Sequence, residues 1–433
     1  MHPKVLLIMT TPYSVSDSSR TLDAYFHYWE KDRLVQIFSR NWVPSKGQCG
    51  EMYQITDSSL LKKWMHKNIK IGKVYTYDDM GDTDGHNVIA EDAAVSFGYK
   101  LGTKHTPLIE ILRGILWRRK YWLTPELIKW LDEFHPDCIL YNFSNHLFTQ
   151  QIALFAAHRY HIPIIAIIGD DYYFNDTSSL NPFYLYFRYK FKQLTEKILA
   201  KGHSSAVYCS DKIRDKYNPY FHIHGKTIYI NSALKRKDFQ KINSKNPKIV
   251  YFGSIRLGRN IALVDIANAL GSINPSFRLE VYTSENDPSI YGVLKENPYV
   301  IYGGFIPYSQ VQAKIRDSDI FVIAEGFRKQ DINFTKYSLS TKASDGLASG
   351  VSIFSYGPAE SGVIDYMKST GASMVCTSKQ DLKKDLESLI SNPSLQEKMY
   401  HQAIVVTEKN HTLKSTTRIF ESILEDAINQ DKD

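Results

Sequence analysis

Three hydroxyls, a lysine and an aspartate fall together in Ser340-Thr341-Lys342-Ala343-Ser344-Asp345, ahead of Leu347, Ala348 and Gly350. The grouping suits an anion. Ser340 and Thr341 are favourable helix N-caps, Lys342 falls in the first turn, and the unpaired N–H groups there attract negative charge. Asp345, three residues on, would face the same ligand from one turn further in. The helix should stop at Gly350, before a strand over 351–355. A phosphate at the helix start and a carboxylate at a ribose hydroxyl together describe a nucleoside diphosphate. Many surface helices carry a serine cap and a lysine, so on capping logic alone an ordinary solvated helix stays open.

A second group, Gly253-Ser254-Ile255-Arg256-Leu257-Gly258-Arg259, follows the apolar run 249–252. Such a glycine-bearing turn from strand to helix lets the backbone approach a diphosphate, while Arg256 and Arg259 offer charge-assisted forks. With Lys342 they place two or three cations around one diphosphate, enough to stabilise it as it departs without a metal. No GxGxxG follows a strand anywhere, which weighs against a nicotinamide enzyme.

The elements that must position these residues read as two α/β series. In the first, strands are expected at 4–9, 34–38, 137–141, 162–168, 206–209 and 226–230, with helices at 21–29, 147–160 and 183–200 and mostly helical chain at 107–134. Strand, helix, strand with short connections is the parallel unit of a doubly wound sheet. The loops Asn142-Phe143-Ser144-Asn145-His146 and Asp170-Asp171-Tyr172-Tyr173 then open on one sheet edge, where such sheets bind ligands. Asp170 and Asp171 read as turn caps or acceptor contacts rather than metal ligands. The charged segment 55–104 has no clear period and reads as an excursion. Residues 235–248, polar and proline-terminated, read as a linker. Strands at 249–252, 278–282, 300–302, 320–324, 351–355 and 373–375 form the second series, and 387–426 close as helices.

A chain of 433 residues suits two domains of roughly 200 residues. The composition, 43% hydrophobic and 23% charged, is globular, and the apolar runs fall short of the ~20 residues that span a bilayer. No signal peptide is visible, and four cysteines without a CxxC fit reduced thiols, so a cytoplasmic location is expected, including the inner face of the cell membrane. The net charge of +7 does not argue for nucleic acid and fits anionic substrates or an anionic membrane surface. Trp117-Arg118-Arg119-Lys120-Tyr121-Trp122 reads either as a lipid-interface or anion-gripping segment, or as a helix corner with tryptophans inside.

The second half resembles the donor domain of retaining GT-B glycosyltransferases of the family 4 type, especially bacterial capsule and O-antigen enzymes. The resemblance runs through Tyr251-Phe252-Gly253-Ser254 with Arg256 and Arg259, Glu325-Gly326-Phe327, Ser338-Leu339-Ser340-Thr341-Lys342, Leu347-Ala348-Ser349-Gly350 and Tyr356-Gly357-Pro358. The first half is similar more loosely, at Thr11-Pro12, 23–29 and Asp170 to Tyr173.

This resemblance implies two Rossmann-like doubly wound parallel-sheet domains facing a cleft: 1–240 for the acceptor and 241–433 for the nucleotide-sugar donor, with terminal helices that pack back on the first. It implies transfer of a sugar, with retention, from a UDP- or GDP-linked donor to a glycan acceptor, lipid-linked in surface polysaccharide synthesis. No further cofactor is implied. Arg256 and Lys342 would draw off the diphosphate, with His146 as a strand-end histidine on the acceptor side; an ordinary structural role for His146 stays equally open. Gly253, Ser254, Arg259, Ser340, Thr341 and Asp345 would hold the donor, Asp345 standing where the family's second paired glutamate holds ribose. The first glutamate is absent: Tyr337 stands near its place and Glu325 lies upstream. Asp82-Thr83-Asp84 matches the metal-binding DxD of the other main glycosyltransferase fold but sits in the irregular segment, so no metal is expected. A sugar nucleotide epimerase or hydrolase, or a non-catalytic GT-B partner subunit, are the alternatives.

Overall fold

The computed structural model describes residues 1–13, 20–65, 69–81, 107–175, 179–200 and 204–430. Asp82-Thr83-Asp84 lies outside them. The chain divides into two compact units, one made of residues 1–227 with 417–433 and the other of residues 228–416.

The first unit is built on eight strands: β1 Val5–Ile8, β2 Leu34–Phe38, β3 Glu51–Gln54, β4 Lys73–Thr76, β5 Cys138–Asn142, β6 Ile164–Ile168, β7 Ser204–Tyr208 and β8 Lys226–Thr227. Their order is β4-β3-β2-β1-β5-β6-β7-β8. All neighbours are parallel except β3 and β4, an antiparallel edge pair whose outer strand, β4, lies in the segment read as irregular. β1 and β2 are buried along their whole length, as parallel strands covered on both faces must be. The expected strand over 226–230 ends at Thr227, where the chain leaves this unit. The helix Leu413–Gln430 returns to it, stacking Phe420 on Tyr25 with centroids 4.5 Å apart.

The second unit carries β9 Ile249–Phe252, β10 Leu279–Tyr282, β11 Val300–Gly304, β12 Ile320–Ala324, β13 Ser352–Tyr356 and β14 Met374–Cys376. They are ordered β11-β10-β9-β12-β13-β14 and all parallel. This is the doubly wound order, which reverses direction between β9 and β12. Side-chain alternation feeds a core on each face. Ile249, Tyr251, Val322 and Tyr356 enter one, and Val250, Phe252, Phe321 and Ile353 the other. On the first face the helix Arg259–Ile273 buries Leu263, Ile266 and Leu270, each worth about 1.5–3 kcal/mol.

The stretch 235–248 read as a linker lies inside this unit instead. Lys237 donates its N–H to Ser349 O at 3.0 Å and its Nζ to Ser318 O at 2.7 Å, and buried Ile242 donates its N–H to Gln396 Oε1 at 3.1 Å. An extended polar stretch has every backbone group available, and here helix ends and a buried glutamine take them up.

Candidate functional site

The crevice between β9 and β12, at the C-terminal ends of the strands, is where the direction of winding changes and where open α/β sheets bind ligands. The loop after β9 holds Gly253, Ser254 and Arg256, and Arg259 opens the helix that follows. The loop after β12 begins with Glu325. Arg259 crosses the crevice to Glu325 as a two-pronged fork, Nε to Oε2 and Nη2 to Oε1, both 3.0 Å. The pair is deeply set, with side-chain exposures of 14% and 2%.

Lys342 comes to the same place from the far side, as the first residue of the helix Lys342–Ser349. Its Nζ donates to Tyr251 Oη at 2.9 Å, and Tyr251 donates in turn to Ser254 O at 2.5 Å. Gly253, at φ +111°, leaves room for the lysine stem: a Cβ there would stand 2.6 Å from Lys342 Cε. Burial, then the nearby Arg259 guanidinium, lower the Lys342 amine to a pKa of about 7, with Glu325 pulling the other way. The Tyr251 phenol, raised by burial, stays protonated and able to hold both bonds.

The other expected residues are placed differently. Arg256 turns to Glu285 in the loop after β10, with bonds of 2.6 and 2.8 Å, and its side chain is 58% exposed against 5% for the acid. A third fork joins Arg328 to Asp331 at 2.7 and 3.0 Å. That buried acid backs the turn into the first helix, where a Cβ on Gly258, at φ +72°, would lie 2.4 Å from Asp331 Oδ2. Of the two expected caps, Thr341 does not cap and Ser340 does so with one long bond. Thr341 already has helical backbone angles and its side chain makes no capping bond, because the helix is entered through a turn, with Ser340 Oγ accepting from Lys342 N at 3.4 Å. Asp345 is buried and accepts from Ser232 Oγ at 2.7 Å, on the stretch that leads into the unit. Nearby, His411 bonds Ile230 O through Nδ1 and Tyr366 Oη through Nε2, both at 2.7 Å, and burial lowers its pKa. Tyr337 is half-buried with Lys336 Nζ 5.0 Å from its ring centre.

His146, Asp170 and Asp171 belong to the first unit. His146 ends the loop after β5, beside the reversal of winding between β1 and β5 in that sheet. Its Nδ1 lies 3.2 Å from Arg113 Nη1 and 3.7 Å from Glu110 Oε2, and Arg113 reaches Asp57, which also accepts from Trp117 Nε1 at 2.5 Å. Asp171 caps its own turn through Phe174 N at 3.1 Å and takes bonds from Tyr217 Oη and Lys216 Nζ, both 2.9 Å. Asp170 is exposed, with Tyr172 Oη at 3.4 Å. Among the described residues no group of three or more His, Cys, Asp or Glu is placed to hold a metal.

The acids Glu285, Asp331, Glu110 and Asp57 were not singled out in the sequence. Glu325 and Glu285 do carry a signal, since each stands one or three residues beyond the end of a buried strand, on the ligand edge.

Two Rossmann-like parallel-sheet units in succession are the GT-B fold. Solved structures similar along nearly the whole chain share it. HepE of Anabaena, solved in complex with UDP, is 11% identical over 98% of this chain and 100% of its own, with a TM-score of 0.55. WaaG, a glycosyltransferase involved in lipopolysaccharide biosynthesis, is 9% identical over 97% and 99%, at 0.56. Sucrose-phosphate synthase of Thermosynechococcus elongatus is 8% identical over 99% and 100%, at 0.60. At these identities the likeness is one of fold. No protein-family model matches the chain, and no curated protein matches it.

Proposed function

We propose that the chain is a glycosyltransferase that binds a nucleoside diphosphate sugar at the β9/β12 crevice and transfers the sugar, with retention, to a glycan acceptor on the first unit. The observation that carries this reading is the Lys342 ammonium laid over Gly253 beside the Arg259–Glu325 fork. Gly253 allows the backbone close to a diphosphate. Lys342 supplies charge against the leaving group, and Arg259 a planar donor held in position by Glu325. Asp345 holds the ribose on this reading, by exchanging its bond to Ser232 for one to a hydroxyl.

The reaction needs no protein nucleophile. The bond from the anomeric carbon to the diphosphate oxygen breaks, the acceptor hydroxyl oxygen bonds to that carbon on the same face, and its proton passes to the departing diphosphate. His146, with Arg113 and Glu110 on its Nδ1 side, orients the acceptor. A lipid-linked glycan in surface polysaccharide synthesis is the acceptor class this reading favours. UDP, which HepE binds in its crystal structure, is the first donor nucleotide to try, and GDP the second.

A thermal-shift panel of nucleoside diphosphates and their sugars tests the proposal, since a ligand of the native state raises its stability by mass action. UDP or GDP should raise Tm in the wild type, and Lys342→Ala should remove most of the rise. No shift with any nucleotide would overturn the reading, and an unchanged shift in Lys342→Ala would remove that residue from it. Mass spectrometry of products then separates transfer to a glycan from hydrolysis or isomerisation of the sugar.

A further inference from the structure

The tryptophans of the aromatic and cationic run 117–122 are interior: Trp117 and Trp122 are each 1% exposed. An exposed apolar surface lies one turn away. The helix Pro107–Leu116 is turned inside out. Glu110 and Arg113 face the protein, toward His146 and Asp57, while Leu108, Leu112 and Ile115, a row at helical spacing, are 44%, 56% and 44% exposed. It packs on the helix Pro182–Ile198, whose first half exposes Phe183, Leu185, Tyr186 and Tyr189 at 47–57%, just after Leu180 at 96%. Apolar rows this exposed mark an interaction surface.

The charges around these rows have one sign. No Asp or Glu occurs from 111 to 125 or from 179 to 195, whereas Arg118, Arg119 and Lys120 are exposed beyond the end of the first helix. Lys190 Nζ lies 5.9 and 5.6 Å from the ring centres of Tyr186 and Tyr189. Aliphatic side chains, tyrosines with a polar tip, and cations with no acid between them match the layers of an anionic lipid leaflet: acyl boundary, headgroup level and phosphate. A second copy of the chain would set these cations against each other. Among the described residues no helix is long and apolar enough to cross a membrane, so contact from these helices would be with its surface.

We propose that the outward rows of the helices Pro107–Leu116 and Pro182–Ile198, with Arg118, Arg119 and Lys120, dock this chain on an anionic lipid bilayer. The proposal stands independently of the donor site. Flotation of the full chain with vesicles of phosphatidylcholine alone, and with about one third phosphatidylglycerol, tests it. The wild type should float with the anionic vesicles and not with the neutral ones at moderate salt. L112S/I115S and the charge variant R118Q/R119Q/K120Q should each lower the bound fraction at least about fivefold, because apolar insertion and electrostatic attraction both contribute. These positions are exposed, so both variants should keep the wild-type Tm and nucleotide response. Should L112S/I115S unfold, Y186S/Y189S on the partner helix serves in its place, with the same loss expected. Equal flotation with neutral and anionic vesicles, unchanged flotation of the variants, or a concentration-dependent dimer abolished by the same apolar changes would overturn the proposal.

Discussion

The two sheets use the same edge for different purposes. In the six-stranded unit the loops at the reversal of winding carry glycines at positive φ, Gly253 and Gly258. In the eight-stranded unit, among the described residues, the loops after β1, β5 and β6 carry none. The backbone conformation therefore calls for glycine in one and not in the other. The acids differ in degree. Glu325, Glu285 and Asp331 each lock an arginine in a two-pronged fork, and Asp57 holds Arg113 in the same way, with bonds of 3.1 and 3.0 Å, whereas Asp171 is taken up by a tyrosine, a lysine and a backbone amide. At one edge all three acids are paired with arginines; at the other Asp57 is and Asp171 is not.

The sharpest way to break this contrast is to remove a carboxylate from a fork. Glu325→Ala leaves Arg259 buried and unpaired and should cost about 3–5 kcal/mol in urea denaturation, because an uncompensated buried charge is left behind. A loss below ~1 kcal/mol would mean that the fork does not hold the crevice. Asp171→Ala strands Tyr217 Oη and Phe174 N in the first unit and should cost about 1–3 kcal/mol, with the nucleotide-induced Tm shift unchanged. If it weakens nucleotide binding as much as Lys342→Ala does, the two edges are not separate in function. Gly253→Ala should cost about 1–3 kcal/mol through its positive φ, and it should largely abolish the nucleotide shift by pushing the Lys342 stem aside.

The finest test is pH. Lys342 is lowered to about 7, well below an ordinary lysine. Between that value and ~10.4 the unfolded chain holds a proton that the folded chain has lost. Stability should therefore rise with pH across this window, and Lys342→Met should flatten that part of the profile in denaturation series. Nucleoside diphosphate affinity should move the opposite way, weakening as pH rises above about 7 and the amine loses its charge. Affinity independent of pH from 6 to 9 in titration calorimetry, at a phosphate ionisation held constant, would show that Lys342 does not meet the diphosphate.

Much of the fold was legible because parallel strands buried on both faces read as short apolar runs. β9, β12 and the helix Leu147–Tyr160 stand where hydrophobic spacing puts them. β4 was not legible: three of its four residues are exposed, and it is held by pairing with β3 rather than by burial. In the β9/β12 crevice, Gly253, Arg259 and Lys342 could be found locally, each at a junction of strand, loop and helix. Their partners could not, since the bonds reach across 66 residues from Arg259 to Glu325 and 91 from Lys342 to Tyr251. Of the two readings of the aromatic and cationic run, the helix corner with tryptophans inside is the one observed, and for a related reason the sequence left both open. Its composition gives the ingredients of a surface, but the partner Asp57 decides that Trp117 turns inward.

The return of the helix Leu413–Gln430 to the first unit sets an order on biosynthesis. Residues 228–416 form one uninterrupted unit whose two ends are tied together, Ser232 N to His411 O at 3.4 Å and Thr416 Oγ1 to Tyr229 O at 3.5 Å. Phe420, the ring that stacks on Tyr25 and meets Phe26 edge-on, therefore follows the whole of that unit in the order of synthesis. The unit begun first is finished last. Released chains truncated before this helix should keep the second sheet while Tyr25, Phe26 and Trp29 lose the ring that covers them.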